Sequence, residues 1–187
     1  MKNIFVFIVA VFSVLCSQAS FAKNAPLTEK KGWLQDGKPV PDSEYRKSMH
    51  GFGAQLLVID DDSLFENWDK PETPNLSITD TAIRNQPVFV IFLFINPGTD
   101  NSSNANVNAE VTIKSPDGKI YGHFKDMEIW QRAYPFPVNT IQLAVGNLGI
   151  KIEDDEPLGR YTIEAKIYDK IKDITLNLKN EFTAKEQ

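Results

Sequence analysis

An unbroken run of apolar residues at positions 88–95 constrains the fold of this chain more than any other stretch. Its length and its Val, Ile and Phe content are typical of a β-strand that is buried on both faces. A polar loop follows at 96–106, and apolar and polar residues then alternate over 107–114, as in a strand with one face in water. A Ser-Pro-Asp-Gly turn leads into a returning strand at 119–124. The sequence therefore predicts the centre of an antiparallel β-sandwich.

Further short strands are predicted on both sides of this centre. They lie at 52–59, 76–83, 141–145, 148–152, 160–169 and 174–182. A single helical turn is predicted over 63–68, capped by Asp62 or Ser63. About seven to nine strands separated by turns are the pattern of an immunoglobulin-like β-sandwich. We therefore predict an all-β fold of that type, with an irregular N-terminal arm.

The first 22 residues have the features of a cleaved export signal. Lys2 supplies a positive start, an apolar stretch follows, and Ser20 and Ala22 are the small residues of a cleavage site. The apolar stretch is shorter than the roughly 20 residues that span a bilayer. Cys16 follows Leu15, which a lipoprotein motif does not allow, so no lipid anchor is predicted. We expect a periplasmic or secreted chain that does not insert stably into the membrane after cleavage.

The remaining chain divides into an arm and one domain. Residues 23–50 are rich in charge and proline and predict an extended N-terminal arm, and residues 51–187 predict the sandwich. Cleavage after Ala22 removes Cys16, the single cysteine, so the domain must rely on its apolar core. Acidic residues outnumber basic ones, 25 to 20, without a basic cluster, which argues against nucleic acid as a partner.

Two short motifs resemble those of bacterial immunoglobulin-like domains. Pro157-Leu-Gly159-Arg-Tyr161 is similar to the Pro-x-Gly-x-Tyr sequence that precedes their penultimate strand. Pro116-Asp-Gly-Lys119 is similar to a hairpin that such domains often carry. The resemblance covers roughly the last hundred residues and implies an architecture in which Gly makes the bend and Tyr lies at the corner of the sandwich. It implies no activity, because this fold hosts many unrelated functions.

Catalytic and metal-binding motifs are missing from the sequence. It contains no G-x-S-x-G, H-E-x-x-H or S-x-x-K pattern, and its two histidines, His50 and His123, lie far apart. We expect an ordinary sheet-facing role for His123, no enzymatic activity, no metal site and no cofactor. An enzyme would instead need one of these histidines beside a carboxylate in a pocket.

Two acidic runs leave a calcium-binding alternative open. Residues 60–62 and 153–156 both follow predicted strands, and calcium in β-sandwiches is bound by carboxylates on such loops. Their spacing does not match the EF-hand calcium loop, and acidic residues also end strands and solvate turns. A calcium site would require the two runs to meet at one end of the sandwich.

Aromatic residues in two predicted loops are the candidate binding residues. They are Phe65, Trp68, Trp130, Tyr134 and Phe136. Large rings in loops are typical anchors of recognition surfaces, although such rings also close the ends of a sandwich as core. The Asn- and Ser-rich loop at 99–106 is a weaker candidate.

These observations predict an exported accessory module that binds another envelope protein through the aromatic loops. An inhibitor or immunity-type protein is one form of this hypothesis, in which the acidic charge would suit a basic target. The alternative is a module that binds a small ligand, a glycan or calcium, with the same rings as stacking platforms.

Overall fold

The computed structural model describes residues 32–35, 37–72 and 74–187. Within these ranges the chain forms twelve strands: β1 (Leu34–Gln35), β2 (Lys38–Pro39), β3 (Arg46–Met49), β4 (Phe52–Ile59), β5 (Thr81–Ile83), β6 (Pro87–Ile95), β7 (Val107–Lys114), β8 (Ile120–Trp130), β9 (Gln142–Leu143), β10 (Leu148–Lys151), β11 (Gly159–Asp169) and β12 (Ile174–Lys185). One short helix, α1 (Ser63–Asn67), lies between β4 and β5. The predicted export signal at 1–22 and the first part of the predicted arm lie outside the described residues.

The strands form two five-stranded sheets that pack face to face. Sheet I has the order β10-β6-β4-β3, with β9 also paired to β6, and sheet II has the order β5-β12-β11-β7-β8. The predicted all-β sandwich of immunoglobulin-like type is confirmed. One pair departs from the antiparallel prediction, because β5 runs parallel to β12, with Thr81 opposite Thr183.

Strand β6 is buried on both faces, as its unbroken apolar sequence predicts. Val88, Val90, Phe92 and Phe94 face the main core between the two sheets. The alternate residues Ile91, Leu93 and Ile95 belong to a second cluster on the outer face of sheet I. Because successive side chains of a strand point to opposite faces, only a run without polar residues fits a strand covered on both sides.

Residues from the predicted arm supply part of the outer cover of sheet I. Trp33 is 6% exposed in the second cluster, and its indole N–H donates to the Lys47 carbonyl at 3.1 Å. Gly53 makes room for the ring, since a Cβ at that position would approach Trp33 Nε1 to 2.7 Å. The pair β1–β2 forms a hairpin, and β3 is an edge strand of the sandwich. The sheet therefore begins before residue 51, where the sequence suggested its start.

The corner at the start of β11 contains the motif that resembles immunoglobulin-like domains. The Tyr161 hydroxyl donates to the Pro157 carbonyl at 2.8 Å, and its fully buried ring stacks on Phe182 with centroids 5.1 Å apart. Gly159 adopts a φ of +124°, where other residues are strained, and a Cβ there would lie 3.2 Å from Pro116. Tyrosine and glycine therefore fix the turn into the strand together, as in a tyrosine corner.

Candidate functional site

Helix α1 places two of the candidate aromatic residues over the outer face of sheet I. The predicted helical turn is confirmed, but Asp62 at its N-cap makes no capping side-chain hydrogen bond. The Asp61 carboxylate instead accepts hydrogen bonds from the Ser63 N–H and hydroxyl, each at 2.8 Å. Buried Leu64 anchors the helix in the second cluster. Phe65 is 38% exposed, with its edge against Phe89 at 5.6 Å between centroids. The helix is thus attached by its apolar face, and one ring points partly to solvent.

The other candidate aromatic residues form a compact cluster at the end of β8 and just after it. Trp130, Tyr134 and Phe136 contact one another with centroids 5.2–6.1 Å apart, and Trp130 and Tyr134 also contact Phe94 of the core. The Trp130 indole N–H donates to the Ala133 carbonyl at 3.1 Å, and the Tyr134 hydroxyl to the Thr140 carbonyl at 3.2 Å. Both polar groups of these rings are satisfied inside the protein, as expected for residues that close the core.

Burial separates these three rings. Trp130 is 6% and Tyr134 is 9% exposed, and burial raises the pKa of the Tyr134 phenol. Phe136 is 36% exposed. Tyr134 is therefore a core residue that supports the cluster, whereas the sequence suggested it as a contact residue.

The two aromatic sets converge on one depression at the edge of the sandwich. Phe65, Trp68, Trp130 and Phe136 all line a cavity of about 500 Å³. It adjoins a second cavity of about 440 Å³, and Trp68, Asp69, Phe136 and Gln142 belong to both. We call the two cavities together the aromatic groove. More than sixty residues separate the two aromatic sets in the chain, and the fold brings them together.

Strand β9 and its flanks form the floor of the groove, and sequence reasoning did not select them. Gln142 and Leu143 line it, with the exposed residues Ile141 and Val145 on either side. The sequence predicts a strand here, but a strand of ordinary composition carries no signal that it will lie beside aromatic loops. Only the pairing of Leu143 with Leu93 of β6 places it there.

A few polar side chains border the groove. The Arg132 guanidinium lies 4.1 Å from the centroid of the Trp130 ring, a cation–π contact that holds the ring in place. Asp69 lines the groove from the α1 side. Asn147 donates from its side-chain nitrogen to the Ala144 carbonyl at 3.0 Å. The groove therefore combines apolar walls with both signs of charge at its border.

The loop at 99–106, the weaker candidate, braces the aromatic cluster. The Asp100 carboxylate accepts from the Asn104 and Ser102 N–H groups at 2.9 and 2.8 Å, and the Asn104 bond is the main cause that lowers the Asp100 pKa. The Tyr134 N–H donates to the Ser103 carbonyl, and the Ala105 N–H to the Arg132 carbonyl. This loop therefore positions the aromatic segment.

The two acidic runs lie at the same end of sheet I. Strands β4 and β10 both run antiparallel to β6 and flank it, with Ile59 and Gly149 both opposite Phe89. Carboxylates of both runs accept hydrogen bonds within the protein, Asp61 from Ser63 and Asp154 from the Asn85 side-chain nitrogen at 2.8 Å. Among residues 32–35, 37–72 and 74–187, no group of three or more His, Cys, Asp or Glu side chains is placed to hold a metal ion.

The outer face of sheet II carries a polar group around His123. Its Nδ1 lies 2.9 Å from Thr112 Oγ1 and its Nε2 lies 3.4 Å from Glu110 Oε1. Glu110 and Thr112 also line a polar depression of about 400 Å³. His50 is exposed at a turn with φ of 48°. His123 is the sheet-facing residue that the sequence predicts, and it also lies beside a carboxylate.

Comparisons with known proteins find similarity at the level of structure. No family model matches the sequence, and no curated protein matches it. Similar solved structures include a family 123 glycoside hydrolase from Clostridium perfringens, at 15% identity and a TM-score of 0.41. They also include a Niemann-Pick type C2 protein from Japanese carpenter ant, at 16% identity and a TM-score of 0.35. The match to the hydrolase covers 73% of this chain and 27% of the hydrolase. The match to the ant protein covers 71% of this chain and 89% of the ant protein.

One sequence-based prediction is corrected by these comparisons. The missing catalytic motifs predicted that the chain is not an enzyme, whereas one of the similar structures is a glycoside hydrolase. That prediction is withdrawn. No reaction is assigned in its place, because a likeness with a TM-score of 0.41 carries no argument for an activity.

No helix of the described part of the chain is long and apolar enough to cross a membrane.

Proposed function

We propose that this protein is an exported binding module that attaches to another protein of the cell envelope through the aromatic groove. The observation that carries the proposal is the convergence of Phe65 and Trp68 with Trp130 and Phe136 around one depression. Export rests on the signal-like features of residues 1–22.

Exposed apolar side chains around the groove support a protein partner. Phe65 is 38%, Phe136 36%, Ile141 45% and Val145 49% exposed. Contiguous exposed apolar groups that are bordered by polar residues are typical of protein contact surfaces, in which aromatic anchors contribute most of the affinity. The formal net charge of −5 favours a basic partner through its effect on association rates. An inhibitor or immunity-type role is one form of this proposal.

Site-specific photo-crosslinking in cells of the native host tests the proposal. A photoreactive amino acid replaces Val145 at the groove, and in a matched control it replaces Ile120, which is 67% exposed at the opposite end of β8 from Trp130. We expect one dominant envelope protein attached at position 145 and not at position 120. The double substitution Phe65→Ala/Trp68→Ala should abolish this adduct while circular dichroism shows an intact fold. Equal adducts at both positions, or none at 145, would overturn the proposal.

A further inference from the structure

Gln142 is a buried polar residue inside the aromatic groove. It is 7% exposed, and it lines both cavities of the groove. In the part of the chain that the structure describes, its side-chain amide makes no hydrogen bond to the protein, and its polar atoms keep contact with solvent. Its donors and its acceptor are therefore available to water or to a ligand in the groove. Its place in the groove marks where a ligand can find a polar partner.

The pairing of β9 fixes where Gln142 lies. It is opposite Phe94 of β6, and cross-strand partners lie on the same face of a sheet. Phe94 belongs to the main core between the sheets. Gln142 therefore lies at the edge of that core, where it lines the same cavity as Trp130 and Phe136.

The edge of β9 is open over a short length. Within the described residues β9 pairs with β6 alone. Two residues beyond it, the Val145 N–H turns to the Ile129 carbonyl of β8 at 3.1 Å. The side of the chain that faces away from β6 around Ile141 and Leu143 is therefore the part of this edge that an added segment can approach.

We infer that the groove takes an extended peptide segment of the partner, with apolar side chains in its cavities and a main-chain amide paired with Gln142. The inference rests on the proposed function and names the partner's chemistry. A primary amide offers an acceptor and two donors, which complement the C=O and N–H of a peptide group. Two adjoining apolar cavities suit alternate side chains of an extended segment that lies along a sheet edge.

The residues that line the groove argue against a glycan as its ligand. Apart from Gln142, the polar side chains in the groove are Asp69, Arg132, Thr140 and Asn147. The Asn147 nitrogen already donates to Ala144, and the Arg132 guanidinium lies over Trp130. A sugar would bury hydroxyl groups against Phe136, Ile141 and Leu93, and each hydroxyl without a partner costs free energy.

Selection of short random peptides displayed on phage tests the inference on the full chain. We expect enriched sequences with apolar residues at alternate positions. Their synthetic peptides should shift the NMR signals of the Gln142 side-chain amide and of the Trp68 and Trp130 indoles. Gln142→Leu should weaken their binding about tenfold, the effect of losing a pair of hydrogen bonds, without lowering Tm. A Gln142 with a purely structural role would instead lower Tm and leave the affinity unchanged.

The outcomes separate this inference from the proposed function. No enriched peptide, or peptides that bind equally to Gln142→Leu, would overturn the inference. Shifts of the groove signals by a soluble cello-oligosaccharide and not by peptides would also overturn it. If an adduct still forms from position 145 in any of these cases, the protein-binding proposal stands, and the partner docks by another geometry.

Discussion

The main-chain N–H of Gly98 donates a 2.6 Å hydrogen bond to the fully buried carboxylate of Asp169. The other oxygen of Asp169 accepts from the Ile171 and Lys172 N–H groups at 3.1 and 3.0 Å. One carboxylate therefore ties the loop after β6 to the turn between β11 and β12, and so joins sheet I to sheet II. Gly98 permits the close approach, since a Cβ there would lie 3.0 Å or less from Asp169, Ile171 and Lys172.

We predict that Asp169→Ala lowers the free energy of unfolding by about 3 kcal/mol, because it leaves three main-chain donors without their acceptor in a buried site. Asp169→Asn keeps one acceptor oxygen and should lose less. Urea denaturation measures both changes. Asp173, exposed in the same turn, is the matched control. Its replacement by Asn, which tolerates the φ of 54° at this position, should cost much less than Asp169→Ala. Wild-type stability of Asp169→Ala would contradict this account.

Trp33 provides a second stability test, because it decides whether the predicted arm belongs to the folded domain. Trp33→Ala should cost about 3 kcal/mol, as for other large buried rings, since it uncovers the outer face of sheet I. Exposed Gln35, two residues along the same hairpin, is the control, and its replacement by Ala should change stability little. Thermal unfolding of both variants gives the answer. A Trp33→Ala protein with the wild-type Tm would show that this hairpin contributes nothing to the fold.

The burial of β6 could be predicted from sequence, but not that Trp33 would form part of its cover. A run such as 88–95 has no polar face, so it must be covered on both sides wherever it lies. Trp33 is a single large ring among charged residues and prolines, and no periodicity marks it as core. Its position depends on contacts with Gly53 and Lys47, which only the folded chain brings close.

The candidate site, too, could be predicted from sequence only in part. Loop aromatics could be identified from sequence, but which of them would be buried depends on the fold. Phe136 contacts both Trp130 and Tyr134, yet it stays 36% exposed while the other two rings are buried. Gln142 gives no local signal, because one polar residue in a short strand is ordinary until its partner strand and its neighbours are known.

Tyr121 makes stability depend on pH in the alkaline range. Burial, reinforced by the Glu156 carboxylate that accepts its hydroxyl at 3.2 Å, raises the Tyr121 pKa to about 12 from 10.0. The folded state therefore holds this proton more tightly than the unfolded state does. The stabilisation of the folded state that comes from protonated Tyr121 is complete below pH 10. It is lost as pH rises from about 10 to 12.

Comparison of Tyr121→Phe with the wild type isolates this contribution. The difference in free energy of unfolding between the two proteins should be constant from pH 8 to 9 and should shrink as pH rises through the range in which Tyr121 ionises, from about 10 to 12. Urea denaturation at each pH measures it, and the comparison cancels the titration of lysines, which both proteins share. A difference that stays constant up to pH 12 would show that the Tyr121 pKa is not raised.

Phe124 and Phe136 form a matched pair for the groove. They are 39% and 36% exposed, respectively, but Phe136 lines both cavities and Phe124 lies in β8, outside the walls of both. We predict that Phe136→Ala weakens partner binding by at least tenfold. A tenfold loss corresponds to about 1.4 kcal/mol of binding free energy, and truncation of an aromatic anchor commonly costs more. Phe124→Ala should leave binding unchanged.

Stability must be measured on the same two variants, because Phe136 also contacts Trp130 and Tyr134. We expect Phe136→Ala to cost about 1–2 kcal/mol of stability, which leaves the chain folded at room temperature. Phe136→Leu restores apolar volume without the ring and should recover most of the stability and only part of the affinity. If the two alanine variants bind equally well, the groove is not the contact surface, and the open aromatic edge beside β9 serves only to close the core.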